Sequence, residues 1–394
     1  MSDCLPNEVV VNILSRLPVK LLMRFRCVSK AWCSLISSPH FIATHLNRSL
    51  SNSQHPPFLF LSHYDNKPNY EDSIHTLLVY PDQEIEQKGD FFAYPSDSIE
   101  LRGIHHSINF FLHLVGSSNG LLCLANTVFN NESGLCVLWN PSIQKAISLP
   151  KPNIGFPGCL NQSVGFGYDP MTEDYKLVRL VYLQGIGRIA FNNVPPLVEI
   201  YTLRTGIWRS ITAPSPPYLI NMWSSSVFVN GAVHWPAHTP RRQGAFRNVI
   251  VWFNMKDEAF GEVGMPKSLQ GLEDLNVTVA LLDGLLAFVE RERASLWPYR
   301  NEVSHAVWVM KEYGVVESWT KLFDVSIGRF DRVIGITKSG EVLVHKAGSS
   351  GRLFSFGPCS RGYLDLTICG PKEIYLDTYV ESLVLLNVAG RNPR

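Results

Sequence analysis

Residue type and spacing offer this chain of 394 residues three chemistries: a thiol nucleophile with a histidine base, a histidine pair on a metal, and a phosphate loop. Cys123, Cys136 and His113 could form the first, but a nucleophile needs a base and a group that orients the base, and no third residue stands out. All three fall in or beside apolar runs, so they read as core. His105-His106 could hold a metal, yet no cluster of carboxylates or cysteines stands near them, and they read as a surface turn. Gly185-Ile186-Gly187 lacks the rest of a GxGxxG loop and the helix that must follow, and reads as a hairpin tip. The eight cysteines lie at 4, 27, 33, 123, 136, 159, 359 and 369 with no CxxC pair, a pattern of reduced, buried hydrophobes rather than zinc ligands. No catalytic residue, metal or cofactor is expected.

Composition narrows the classes further. Hydrophobic residues make up 45% and charged residues 18%, so the chain has ample material for a packed core. A formal net charge of +1 does not ask for nucleic acid as the partner. No secretory leader opens the sequence, and no apolar run of about 18 residues could cross a membrane. The expected location is cytoplasm or nucleus. The charge is uneven, however. Residues 1–50 hold six basic side chains (Arg16, Lys20, Arg24, Arg26, Lys30, Arg48) and two acidic ones (Asp3, Glu8), a balance of +4 that leaves −3 for the rest. A basic head on a near-neutral body suits an acidic partner.

The elements around that head are short helices. Pro6 and Glu8 suit a helix start, and Val9, Val10, Ile13, Leu14 and Leu17 follow at helical spacing. Pro18 stops the first helix, and Leu21, Leu22, Phe25 and Val28 give a second one face. Ser29 caps a third, with Ala31, Trp32, Leu35 and Ile36, which Pro39 is expected to end. Three helices in about 45 residues bury too little to stand alone. The surplus apolar face must pack on the following domain or on another protein, and periodicity does not choose between them.

The segment LPNEVVVNILSRLPVKLLMRFRCVSKAWCSLISSPHF resembles an F-box. It carries that family's Leu5-Pro6, Ile13-Leu14, Leu17-Pro18, Val28-Ser29-Lys30, Trp32, Leu35-Ile36 and Pro39 to Phe41. The resemblance implies docking on a Skp-type adaptor and, through it, a cullin and a RING subunit. It carries the adaptor contacts over to Leu5, Pro6, Ile13, Leu14, Leu17, Pro18, Leu22, Val28, Lys30, Trp32, Leu35 and Ile36.

After SLSNSQHPP (residues 49–57) the period changes to that of strands. Asn119-Gly120, Asn230-Gly231, Asp283-Gly284 and Ser339-Gly340 each precede an apolar run. Asn-Gly and Asp-Gly favour the type I′ hairpin because both central residues need positive φ. The glycines are spaced by 111, 53 and 56, and the turn at Met171–Asp174 fills the double gap, so a repeat of about 55 residues runs through five units. A second hairpin follows in each, as in VLWNPSIQKAISLP and VEIYTLRTGIWRSI. Two hairpins make a four-stranded sheet, and a series of such sheets makes a β-propeller. FLFL and HTLLVY near residues 58–80 are expected to pair with VESLVLLN at 380–387 as one more blade, which gives about six, with seven the alternative count.

GSSNGLLCL, LWNPSIQKAISLP, VGFGYDPMTEDYKLVRL and VEIYTLRTGIWRSI resemble the F-box-associated interaction domain of plant F-box proteins, a degenerate kelch-like propeller of the F-box/kelch, constitutive-defence or S-locus kind. The expected fold class is therefore α+β multidomain: a three-helix F-box over 1–48, a linker over 49–57 and an all-β propeller over 58–390. The resemblance implies a non-catalytic subunit of a ubiquitin ligase that captures an unidentified target protein for degradation. A glycan-reading propeller and a propeller enzyme are the alternatives. The loops 185–197, 236–247 and 291–302 interrupt the repeat, and Arg241, Arg242, Arg247, Trp297, Tyr299 and Arg300 have the residue types of protein interfaces.

Overall fold

Local signals start and stop the helices in the computed structural model, as the spacing of prolines and serines requires. It describes residues 6–51, 58–64, 75–81, 99–100, 113–126, 134–155, 161–182, 195–212, 215–220, 226–240, 246–272, 275–292, 302–328, 331–336, 340–346, 352–357, 363–369 and 374–386. Helices α1 (Asn7–Leu14) and α2 (Val19–Phe25) each follow a proline, Pro6 and Pro18, in extended conformation. Helix α3 (Lys30–Ile36) is capped by Ser29, whose hydroxyl accepts from the Trp32 N–H at 3.1 Å. Pro39 does not end the helical head. It opens α4 (Pro39–Ser51), because proline has no N–H to lose in a first turn, and Ser38 Oγ caps that turn by accepting from Phe41 N–H at 3.2 Å. The head thus has four helices.

Among the described residues the strands form six antiparallel sheets. In chain order they begin with β1 (Phe58–Tyr64), β2 (His75–Pro81) and β3 (Ile99–Glu100). The second sheet is β4 (His113–Ser118), β5 (Leu121–Ala125), β6 (Cys136–Asn140) and β7 (Lys145–Ser148). The third is β8 (Asn161–Asp169), β9 (Asp174–Tyr182), β10 (Leu197–Thr202) and β11 (Ile207–Ile211). The fourth has β12 (Leu219–Ile220), β13 (Val227–Val229), β14 (Ala232–His238), β15 (Asn248–Asn254) and β16 (Ala259–Gly264); β12 and β13 share the inner position, both paired with β14. The fifth is β17 (Asn276–Leu282), β18 (Leu285–Arg291), β19 (Glu302–Met310) and β20 (Trp319–Gly328). The sixth is β21 (Arg332–Ile336), β22 (Val342–Lys346), β23 (Arg352–Phe356) and β24 (Tyr363–Cys369). A last strand, β25 (Ile374–Tyr379), pairs with β1 and completes the first sheet.

The inner strands β4, β8, β13, β17, β21 and β25 touch in that order, and β25 touches β4, which closes the ring. Closure leaves few sheet edges exposed. The hairpin chemistry is as expected: φ is 50° and 79° at Asn119-Gly120, 52° and 74° at Asn230-Gly231, and 47° and 75° at Asp283-Gly284. Apolar side chains then pack sheet on sheet. Val178 and Leu180 meet Val233, Trp235 and Phe253, and further clusters join the fourth sheet to the fifth and the fifth to the sixth.

One expectation is corrected. The strand that closes the ring is Ile374–Tyr379, not the apolar run at 380–387. An apolar run reports burial without saying by which hydrogen bonds. Residues 380–386 form an irregular segment instead, buried over 382–385, with Leu383 and Leu385 inside the core.

Candidate functional site

Alternation of strand direction sorts the connections of the ring onto two faces. Turns after the first and third strands of a sheet lie on one face, and connections after the second strand lie on the other. The head sits on the first face: α2 contacts the 3-10 turn Pro141–Ile143 that links β6 to β7. Leu14, Val19, Leu22, Ile36 and Phe41 form one apolar cluster with Leu121, Cys123 and Leu138 of the second sheet and with Leu383–Leu385. So part of the head's apolar surplus is spent within the chain, which answers the alternative that periodicity left open.

The rest of it faces outward. Val9, Ile13 and Val28 are exposed to 41, 50 and 64%. Pro6, Pro18 and Lys30 are also exposed, and Leu17, Trp32 and Leu35 are half-buried. Leu14, Leu22 and Ile36 of the expected contact set are 2, 0 and 0% exposed, because they seat the helices on each other and on the propeller. Leu5 lies outside the described residues. Val9 was not among the expected contacts, although the width of the α1 apolar stripe pointed to it.

Side-chain chemistry around this face is basic. Arg16, Lys20, Arg24 and Lys30 are exposed, and among the described residues none forms an ion pair. Phe25 and Trp32 stack edge to face at 5.5 Å, fixing the Trp32 ring at the border between face and interior. Behind it, His45 of α4 is buried, and its Nε2–H donates to the Leu17 carbonyl at 3.0 Å. That bond selects the tautomer and holds the Leu17-Pro18 corner. Burial lowers the His45 pKa, so the ring stays neutral.

The opposite face receives the ends of the three interrupting loops: β9 to β10, β14 to β15 and β18 to β19 are all second-to-third connections. Arg241, Arg242, Trp297, Tyr299 and Arg300 lie outside the described residues. Arg247 is described, exposed, and paired with Glu262 at 3.3 Å. His105-His106 and Gly185-Ile186-Gly187 also lie outside them.

Of the four cysteines whose burial is described, Cys27 is exposed and Cys33 half-buried, and the two of the second sheet are unsuited to nucleophilic work. Cys123 and Cys136 are buried, and burial pushes Cys123 well above the usual thiol range and Cys136 up to about 12. Among the described residues no group of three or more His, Cys, Asp or Glu could hold a metal ion, and no helix is long and apolar enough to cross a membrane. The candidate surfaces are therefore two: the apolar and basic face of the head, and the side of the ring on which the three interrupting loops begin and end.

Comparison with known families separates the head from the ring. The F-box associated beta propeller domain family matches residues 71–354. The chain belongs to that family. Its first residues, 2–44, match the F-box domain. Among its relatives in Arabidopsis thaliana, the F-box protein At3g07870 is 29% identical over 372 residues, 86% of this chain and 78% of its own length. F-box protein CPR1 is 29% identical over 337 residues, 82% of this chain and 73% of its own. The F-box/kelch-repeat protein At3g23880 is 29% identical over 392 residues, 95% of each. Among solved structures, TolB from Acinetobacter baumannii superposes with a TM-score of 0.47 at 11% identity, covering 86% of this chain and 73% of that one. The F-box match ends within α4, and the propeller match ends before β24 and β25, so both junctions of the F-box propeller protein must be read from its own packing.

Proposed function

We propose that this F-box propeller protein is the substrate-recognition subunit of a Skp–cullin–F-box ubiquitin ligase. The observation that carries the reading is the outward apolar and basic face of a head whose other side is already buried. Pro6, Ile13, Leu17, Pro18, Val28, Lys30 and Trp32 would meet the Skp-type adaptor, with Leu5 beside them. Apolar anchors at the centre would supply affinity, and Arg16, Lys20, Arg24 and Lys30 would steer an acidic surface into register. The adaptor would bring the cullin and the RING subunit.

The opposite face would hold the target protein, with Arg247 and the loops that carry Arg241, Arg242, Trp297, Tyr299 and Arg300. Adaptor and target on opposite faces would leave the target free to meet a ubiquitin-charged enzyme. The chain itself would do no chemistry; its contribution is proximity and orientation. Ubiquitination and proteasomal degradation of the target, in the cytoplasm or nucleus of a plant cell, is the outcome this reading implies.

The test is a titration of the full chain with a purified Skp-type adaptor, alongside Leu17→Ala/Pro18→Ala. Tight binding by the parent chain and loss in the double variant, with the propeller still folded by near-ultraviolet circular dichroism, is the expected result. Undiminished binding by the double variant would reject the assigned face.

A further inference from the structure

The segment after the last strand does not trail away from the ring. Residues 380–386 fold across the second sheet, on the face that carries the head. Three observations fix them there. Asn140, fully buried at the end of β6, donates through Nδ2 to the carbonyls of Ser382 (2.9 Å) and Val384 (2.8 Å), and lies 3.2 Å from Ser382 Oγ. An amide nitrogen has two hydrogens, so both are used on backbone carbonyls that burial would otherwise leave unpaired. Asn140 Oδ1 meanwhile accepts from the Ser142 N–H at 3.0 Å and from the Tyr379 hydroxyl at 3.2 Å.

Second, Gly120 sits at φ 79° in the β4–β5 turn, and a Cβ there would overlap the Val380 carbonyl and the Ser382 side chain. The turn therefore needs glycine twice, once for its backbone and once for the segment lying on it. Third, Leu385 adopts φ 73° and is 1% exposed. A leucine in the left-handed region persists only where its surroundings over-determine it. Here the surroundings are one cluster that contains Leu383, Val384 and Leu385, the helical residues Leu14, Leu22, Ile36 and Phe41, and the strand residues Leu121 and Leu138. The turn Pro141–Ile143 is the shared contact. Helix α2 packs on it, Asn140 caps it, and Tyr379 and Ser142 join hydroxyl to hydroxyl beside it.

From this arrangement we infer that residues 380–386 are a clasp that locks the F-box head onto the propeller at one angle. Only residues 374–379 are needed to close the ring; 380–386 fix the head. Adaptor face and target face are then parts of a single rigid body, and the clasp sets the distance across which ubiquitin is delivered. Asn140, Ser382 and Leu385 are positioning residues that touch neither partner. This last step rests on the ligase reading, whereas the rigid coupling does not.

The experiment measures the coupling directly. Spin labels are placed on unnatural residues at Asn47 of α4 and Ser268 of the propeller, both exposed, in the full chain. Double electron–electron resonance then gives the distance distribution for the parent, for Asn140→Asp at pH 8, and for a chain ending at Tyr379. Asn140→Asp keeps Oδ1 for Ser142 and turns the amide donor into an oxygen facing two carbonyls. The expected result is a single narrow distance in the parent and a broad or multiple distribution in both variants. Circular dichroism of the ring and titration with a purified Skp-type adaptor should be unchanged. A narrow, unshifted distance in Asn140→Asp overturns the clasp, and it does so even where the shortened chain fails to fold. Absence of adaptor binding by the parent, with the distances behaving as stated, leaves the clasp standing and overturns the ligase reading instead.

Discussion

The head and the propeller are made from similar residues and dispose of them differently. The propeller returns to its own start: six inner strands touch in a closed circle, and shared apolar clusters join the third sheet to the fourth, the fourth to the fifth and the fifth to the sixth. The head cannot do this. Its four helices bury Leu14, Leu22, Ile36 and Phe41 and leave Val9, Ile13 and Val28 exposed. Closure makes a region self-sufficient, while a helical cap of about 45 residues has too little interior to hide all its apolar surface. The difference between the two regions is thus a difference between a closed ring and an open cap.

Polar groups follow the same division. The third sheet buries Arg179 against Glu199 at 2.8 Å, with exposures of 1 and 0%, and Arg179 Nε donates to Gln162 at 2.8 Å. In the head, Arg16, Lys20, Arg24 and Lys30 stay in solvent. The buried Arg179–Glu199 pair is satisfied within the ring, whereas the four exposed charges of the head form no ion pair among the described residues.

This contrast can be broken from the ring side first. Arg179→Met should destabilise the propeller by about 3–5 kcal/mol, because Glu199 is left buried without its partner, and Arg179→Met with Glu199→Leu should recover most of that loss. Chemical denaturation of the three proteins checks it; a single variant as stable as the parent would show that the ion pair does not hold the ring. On the head side, Leu17→Ala/Pro18→Ala should weaken adaptor binding by about 2–4 kcal/mol and leave the ring's denaturation midpoint in place. Equal losses in both measurements would erase the distinction between the regions.

Acid offers a third probe. His234 of β14 is buried, its Nε2 is 2.8 Å from the Tyr313 hydroxyl, and burial lowers its pKa from 6.5 to about 4. The folded ring binds the proton less readily than the unfolded chain. The neutral histidine's contribution is therefore present above pH 6.5 and is lost as pH falls toward 4, by about 3 kcal/mol in full. His234→Gln should flatten that slope in a series of urea melts between pH 7 and 4. Smaller effects should come from Gly261→Ala, where a Cβ would overlap the Trp252 ring, at a cost of about 1–3 kcal/mol. The smallest is Val28→Ala: a stability change under about 0.5 kcal/mol for an exposed side chain, with a measurable loss in adaptor titration. An unchanged titration would remove Val28 from the docking face.

Much of this was written locally in the chain. Ser29 as a cap, Pro18 as the first break, and positive φ at Asn119-Gly120, Asn230-Gly231 and Asp283-Gly284 depend on a few neighbouring residues, so spacing and residue type sufficed. The repeat of about 55 residues carried the propeller, because each sheet is one supersecondary unit repeated. What spacing could not settle was which apolar residues face inward. Leu14 and Ile13 are adjacent on one helix, yet one is 2% and the other 50% exposed, and what separates them is the cluster that Leu14 joins with Leu121, Cys123 and Leu138 of the second sheet. The run at 380–387 was legible as buried but not as a clasp, since its hydrogen bonds come from Asn140, more than 240 residues earlier for Val384. Periodicity measures how much surface a segment must hide. Tertiary structure decides against what it hides it, because that choice is made by residues far away in the chain.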